Sequence, residues 1–259
     1  MIRWLALAAG LALAGPAAAR VPPDQLAQVG VRAVPGAQLP MQAHFTDGSR
    51  RTLTLAEAVG GVPAVLVFAD YRCPNVCGPA LAIAASALKG AGLSPGRDYR
   101  LVVIGLRPGE PGKYVEAFRA AHLTAAPEVV QAAEFLTGDA QAVRAATAAA
   151  GYRYAYDPES AQFVHPVAAF VLTPTGRIAR AFPEVAIARP ELRDALVQAR
   201  ADKPAGLIEA IRVLCHGLDP ASGVYDGAVQ TGLRVGGVLM LAAFGGGAVM
   251  LARRRRAAP

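Results

Sequence analysis

Two cysteines four residues apart, Cys73 and Cys77, follow almost directly on an unbroken apolar run at residues 64–69. This junction constrains the chain more than any other feature. Six apolar residues bounded by turn formers read as a strand covered on both faces of a sheet. A helix is expected to follow, from Val76 or Cys77 to about Lys89. If that helix begins inside the Cys73-Pro74-Asn75-Val76-Cys77 motif, the i,i+4 spacing puts both sulfurs on one face, about one turn apart. The unpaired N–H groups and positive dipole end of a helix N-terminus favour thiolate over thiol. A structural disulfide, a redox-active dithiol and two thiolates on a soft metal all remain open. Export would favour the disulfide. Against it, so short a loop gains little chain-entropy stabilisation, and a domain of this size does not need the bridge.

The chain has 259 residues, 54% hydrophobic and 17% charged, with a mean hydropathy of +0.34. That is too apolar for disorder and slightly too apolar for an ordinary soluble globule, so contact with a membrane is expected. Met1-Ile2-Arg3-Trp4, an apolar stretch at 5–14 and the small residues 16–19 read as a signal peptide over 1–19. A linker is expected over 20–39. At the other end, residues 235–252 carry no charge and run into Arg253, Arg254, Arg255 and Arg256. A transmembrane helix is expected over 232–252, after a juxtamembrane segment at 203–231, with 253–259 as a cytoplasmic basic tail. The expected location is the bacterial inner membrane, C-terminally anchored, with the main domain periplasmic. Of the net charge of +7, the four terminal arginines and Arg3 supply five, leaving two for the rest. The basic pI belongs to the tails and gives no support to a nucleic-acid surface.

Between the ends the pattern is that of one α/β domain over 40–202. Residues 44–49 and 51–55 read as a hairpin around Asp47-Gly48. Further strands are expected at 99–106, 167–172 and 177–182, the last two joined by the turn Thr173-Pro174-Thr175-Gly176. Helices are expected at 113–122, 140–150 and 190–200. The alternation at 152–156 reads as strand packing.

The strand, the motif Tyr71-Arg72-Cys73-Pro74-Asn75-Val76-Cys77, and His165 shortly before Phe170-Val171-Leu172-Thr173-Pro174-Thr175-Gly176-Arg177 resemble the Sco/SenC family of thioredoxin-like copper proteins. The resemblance covers roughly 40–200. It implies a thioredoxin-like fold, a central mixed sheet flanked by helices, here with an N-terminal hairpin and a C-terminal transmembrane helix. It also implies copper, Cu(I) or Cu(II), held by Cys73, Cys77 and His165. The implied function is that of a membrane-anchored exported copper chaperone serving the binuclear copper site of cytochrome c oxidase subunit II. Two thiolates and an imidazole suit Cu(I) and also hold Cu(II), whereas structural zinc would want a fourth ligand.

The alternative is an enzyme: a thiol-disulfide oxidoreductase using Cys73 and Cys77 as a redox-active pair on cysteines of the oxidase or of other exported proteins. A peroxiredoxin reading fits poorly, because the second cysteine in the same helix turn is not its pattern. Three positions depart from the family. Gly78 replaces the usual second proline, Val164 stands where an acidic residue generally precedes the histidine, and Arg107-Pro108 stands where Asp-Pro is common. A carboxylate beside a ligating imidazole orients it and raises its basicity, so this chain reads as a divergent member.

Cys215 and His216 read either as an auxiliary metal or mixed-disulfide site or, more simply, as a buried small hydrophobe with a polar neighbour. His44 and His122 read as solvated side chains. Met41 stands alone between the signal and the anchor, so no methionine-rich copper-scavenging segment is present. There is no P-loop, no serine-hydrolase elbow and no paired-carboxylate signature.

Overall fold

The computed structural model describes residues 29–73, 77–122, 126–159, 161–183 and 191–202, with 218–219, 224–225, 235 and 240. In chain order the strands are β1 (Gly30–Val31), β2 (His44–Asp47), β3 (Thr52–Thr54), β4 (Ala64–Ala69), β5 (Arg100–Gly105), β6 (Glu134–Thr137), β7 (Tyr152–Arg153), β8 (Ala155–Asp157), β9 (Gln162–Val164), β10 (Ala168–Leu172) and β11 (Ile178–Pro183). The helices are α1 (Leu55–Val59), α2 (Cys77–Gly90), α3 (Gly112–His122), α4 (Pro127–Gln131), α5 (Ala140–Ala149) and α6 (Glu191–Ala199). Two short strands, β12 (Leu218–Asp219) and β13 (Val224–Tyr225), pair with each other.

Seven strands form the main sheet in the order β11-β10-β4-β5-β6-β2-β3. β4, β5 and β6 are parallel neighbours, and β10 and β2 flank this trio antiparallel to β4 and β6. Every residue of β4 is buried, because both faces of the sheet are covered. The two-residue period of a strand divides them. Val65, Val67 and Ala69 enter one core with α2, α3, α4 and α6, while Ala64, Leu66 and Phe68 enter the other with α1 and α5. The expected mixed sheet flanked by helices is what these residues build.

Two local expectations need correction, and one strand was not expected. The hairpin does not turn on Asp47-Gly48 alone: Asp47 N donates to Arg51 O, Arg50 takes the left-handed conformation, and the Asp47 carboxylate accepts from Ser49 Oγ and Arg51 N. Side-chain bonds from Asp47 hold a longer loop than the two-residue turn. Leu55 opens a helix and is not the end of a strand. Thr54 and Glu57 form a reciprocal capping box there, which starts α1 where the alternation alone suggested more β. β6 is only four residues long and had no periodic signal of its own.

The C-terminal transmembrane helix expected over 232–252 is not found among the described residues. Among the described residues no helix is long and apolar enough to cross a membrane. Of that stretch only Val235 and Met240 are described, both exposed. The expected signal peptide, most of the segment at 203–231, and Cys215 and His216 lie outside the described residues.

Candidate metal centre

The site is built at the end of β4. The chain leaves the strand through Asp70, which is fully buried, and turns at once: Asp70 O accepts from Cys73 N at 3.0 Å, and Asp70 Oδ1 from Arg72 N at 3.1 Å. The turn is fixed from beneath by Tyr71, whose buried hydroxyl lies 2.9 Å from Val103 O and 3.0 Å from Leu136 O, on β5 and β6. Cys73 is half-buried against the first core.

α2 is described from Cys77 onward, and Cys73 lies outside it, in the turn after β4. Cys77 stands in the first described turn of α2, toward the positive helix end that favours thiolate. Its side chain, like Pro74, Asn75 and Val76, lies outside the described residues.

His165 arrives from the other side. It lies between β9 and β10, and β10 pairs antiparallel with β4 from Leu172↔Ala64 to Ala169↔Val67. The segment is tied to the motif turn by Asp70 Oδ2, which accepts from Phe163 N at 3.4 Å, and the Asp70 charge acts on the His165 ring. Asp70 thus holds both the Cys73 turn and the strand leading to His165. The peptide before Pro166 is trans.

The imidazole is half-buried and held on one side. Its Nδ1 lies 2.9 Å from the Tyr152 hydroxyl and 3.1 Å from Pro166 O, and the same hydroxyl donates to Pro166 O at 2.7 Å. Burial lowers the His165 pKa below the ordinary imidazole value, while the Pro166 carbonyl and Asp70 act in the opposite direction.

Around this junction lies a charge network that the sequence did not disclose. Arg72 reaches Glu110 Oε1 through Nε at 2.9 Å and Nη2 at 2.7 Å, with its guanidinium 4.0 Å from the centre of the Tyr114 ring. Arg107 lies 3.7 Å from Asp70 Oδ2 and 3.5 Å from Glu110 Oε2, donates to Ala161 O, and sits over the Phe163 ring. Asp70 and Glu110 are buried and Arg107 is largely so, which is tolerable because the charges alternate in sign. Where the family pattern leads one to expect an acid at 107, the structure places a cation and sets the negative charge at Asp70.

Among the described residues no three His, Cys, Asp or Glu side chains form a metal-holding group. Cys73 and His165 are described and Cys77 is not. His44 is exposed on β2, three strands across the sheet from β4, and His122 Nδ1 contacts Phe118 O at the end of α3. Tyr152, Asp70 and Glu110 carried no motif signal, because the contacts that tie them to the site span 13 residues to His165, 93 to Phe163 and 38 to Arg72 respectively.

The family model described as SCO1/SenC matches residues 39–199. Comparison with curated proteins gives no match. Among solved structures the chain is similar to a protein from Aquifex aeolicus, at 17% identity and TM-score 0.56, covering 64% of this chain and 94% of that one. It is also similar to Arabidopsis thaliana ScoI with copper bound, at 15% identity and TM-score 0.50, covering 64% and 98%. A third is BsSco, a member of the Sco family of cytochrome c oxidase assembly proteins in which a disulfide switch was identified, at 18% identity and TM-score 0.50, covering 68% and 97%. At these identities the likeness is one of fold, and the family match spans more than half of the chain. The chain belongs to the SCO1/SenC family.

Proposed function

We propose that this chain is an exported copper-binding protein that holds copper through Cys73, Cys77 and His165 and delivers it to the binuclear copper site of cytochrome c oxidase subunit II. The observation that carries the reading is the double attachment at Asp70, which draws the Cys73 turn and the His165 segment to one end of β4. Copper here is cargo. The donor chemistry suits it: soft sulfur from the motif turn and from the helix start, and a borderline imidazole nitrogen. Three protein donors leave copper open to an incoming ligand, which suits transfer better than storage. The copper-bound relative and the oxidase-assembly relative support the cargo and the destination. The signal-like residues 1–19 support export.

A second reading is favoured by the placement of Cys77 in the first described turn of α2, where the helix end activates a thiol. Here the Cys73/Cys77 dithiol attacks a partner disulfide. One sulfur forms a mixed disulfide as the partner thiolate leaves, and the second closes the intramolecular bond, passing two electrons and two protons to the partner. The two readings alternate in one protein, since only the reduced pair binds metal.

The test is retention of Cu(I) against a competing chelator under anaerobic conditions. Wild type retains one copper per chain, and Cys73→Ala, Cys77→Ala and His165→Ala each lose it. Full retention by His165→Ala contradicts the three-ligand site. No retention by wild type, together with rapid exchange with a disulfide substrate, leaves the oxidoreductase reading alone.

A further inference from the structure

The Tyr152 hydroxyl stands between two groups that both look to it. It has one hydrogen, which it donates to Pro166 O at 2.7 Å, and its oxygen lies 2.9 Å from His165 Nδ1. Nδ1 is also 3.1 Å from Pro166 O. A neutral imidazole has one N–H. With that hydrogen on Nε2, the Nδ1 lone pair would face the carbonyl lone pairs at 3.1 Å, and the single hydroxyl hydrogen could serve either Nδ1 or the carbonyl but not both. With it on Nδ1, every group is matched: Nδ1–H donates to the hydroxyl oxygen and the carbonyl, and the hydroxyl donates to the carbonyl.

Tyr152 is held firmly enough to dictate this choice. It is 3% exposed, paired to β1 opposite Val31, and packed against Phe68 with ring centroids 4.7 Å apart. A ligating histidine ordinarily donates its second N–H to a carboxylate or carbonyl, which fixes the tautomer and turns the other nitrogen to the metal. Val164 leaves no acid beside His165 in sequence.

We propose that Tyr152 is the positioning residue of the metal site: with the Pro166 carbonyl it locks His165 in the Nδ1–H form and so makes Nε2 the copper-binding nitrogen. This rests on the copper reading only in its second half, because the tautomer is a property of the metal-free protein.

The experiment uses the full chain with 15N-labelled histidine. Nitrogen shifts of the metal-free protein at pH 8 report which ring nitrogen of His165 carries hydrogen, and Cu(I) retention against a chelator is measured beside them. Tyr152→Phe keeps the ring packing and removes only the hydroxyl. Tyr154→Phe is the control, a neighbouring tyrosine outside the network. Wild type and Tyr154→Phe show the hydrogen on Nδ1. Tyr152→Phe shows a measurable population on Nε2 and retains copper about tenfold less tightly. A wild-type hydrogen on Nε2 overturns the proposal. So does Tyr152→Phe with unchanged tautomer, or with unchanged copper retention when His165→Ala loses copper. Should His165→Ala itself keep copper, the ligand assignment falls, and the nitrogen shifts alone decide the hydrogen-bond claim.

Discussion

Gly105→Ala is the most informative single change to the scaffold of the site. Gly105 ends β5 under the Tyr71 ring, and a Cβ built there stands 2.7 Å from Tyr71 Cε2, 3.1 Å from Cδ2 and 3.4 Å from Leu136 O. Carbon pairs settle at about 3.5–4.0 Å, so the ring must retreat by roughly 1 Å. It has little room. Phe118 and Phe135 flank it with centroids 5.2 and 6.4 Å away, and its hydroxyl is held between Val103 O and Leu136 O. Overpacking of this kind costs about 1–3 kcal/mol, and loss of the buried hydroxyl bond adds about 1 kcal/mol. We expect destabilisation of about 2–4 kcal/mol, read as a lower urea midpoint at unchanged m-value. Because Tyr71 adjoins the Cys73 turn, Cu(I) retention should weaken as well. Gly105→Ala combined with Tyr71→Leu removes the clash and should be more stable than the sum of the single changes by at least about 1 kcal/mol. A loss below about 0.5 kcal/mol for Gly105→Ala, or strict additivity in the cycle, refutes the view that this close approach sets the turn.

Asp70→Asn leaves Arg107 without its carboxylate beside the site and should cost about 2–3 kcal/mol in urea unfolding, where an unchanged midpoint would show the network to be dispensable. Thr54→Ala removes the cap of α1 and should cost about 1 kcal/mol by the same assay, with Thr54→Ser restoring most of it. The His165 pKa is lowered on folding, so the unfolded chain binds the proton more readily and stability is lost as pH falls below the ordinary imidazole value. The metal-free wild type should therefore lose more stability than His165→Gln between about pH 7 and pH 5, and parallel pH profiles would contradict this.

The parts legible in the sequence were those whose signal is local. The apolar runs of β4, β5 and β10 and the amphipathic patterns of α3, α5 and α6 stand where their periodicity put them. Strand β6 escaped notice because four residues after a one-turn helix carry no period, and its burial comes from pairing with β5 and β2. Leu53 and Leu55 alternate like a strand, yet Thr54 and Glu57 cap a helix between them, so a side-chain bond overrode the pattern. The charge-free stretch before the four terminal arginines suggested a membrane helix on composition alone, and no such helix occurs among the described residues.

At the site, Cys73, Cys77 and His165 were candidates from spacing and resemblance, whereas the groups that hold the Cys73 turn and the His165 segment had no such signal. Asp70 acts on Phe163, 93 residues on, and Tyr152 reaches His165 only because β7 and β10 line the same core. In one dimension the missing acids at 164 and 107 marked the chain as a divergent member. In three, a tyrosine hydroxyl orients the imidazole, and Asp70 sets a carboxylate against Arg107.

The central claim is that one copper is shared by the motif cysteines and His165. X-ray absorption of the chain loaded with Cu(I) under anaerobic conditions counts the donors directly. Two sulfurs and one nitrogen are predicted, with the nitrogen lost in His165→Ala. A shell of sulfur alone, or one unchanged by that substitution, contradicts the account.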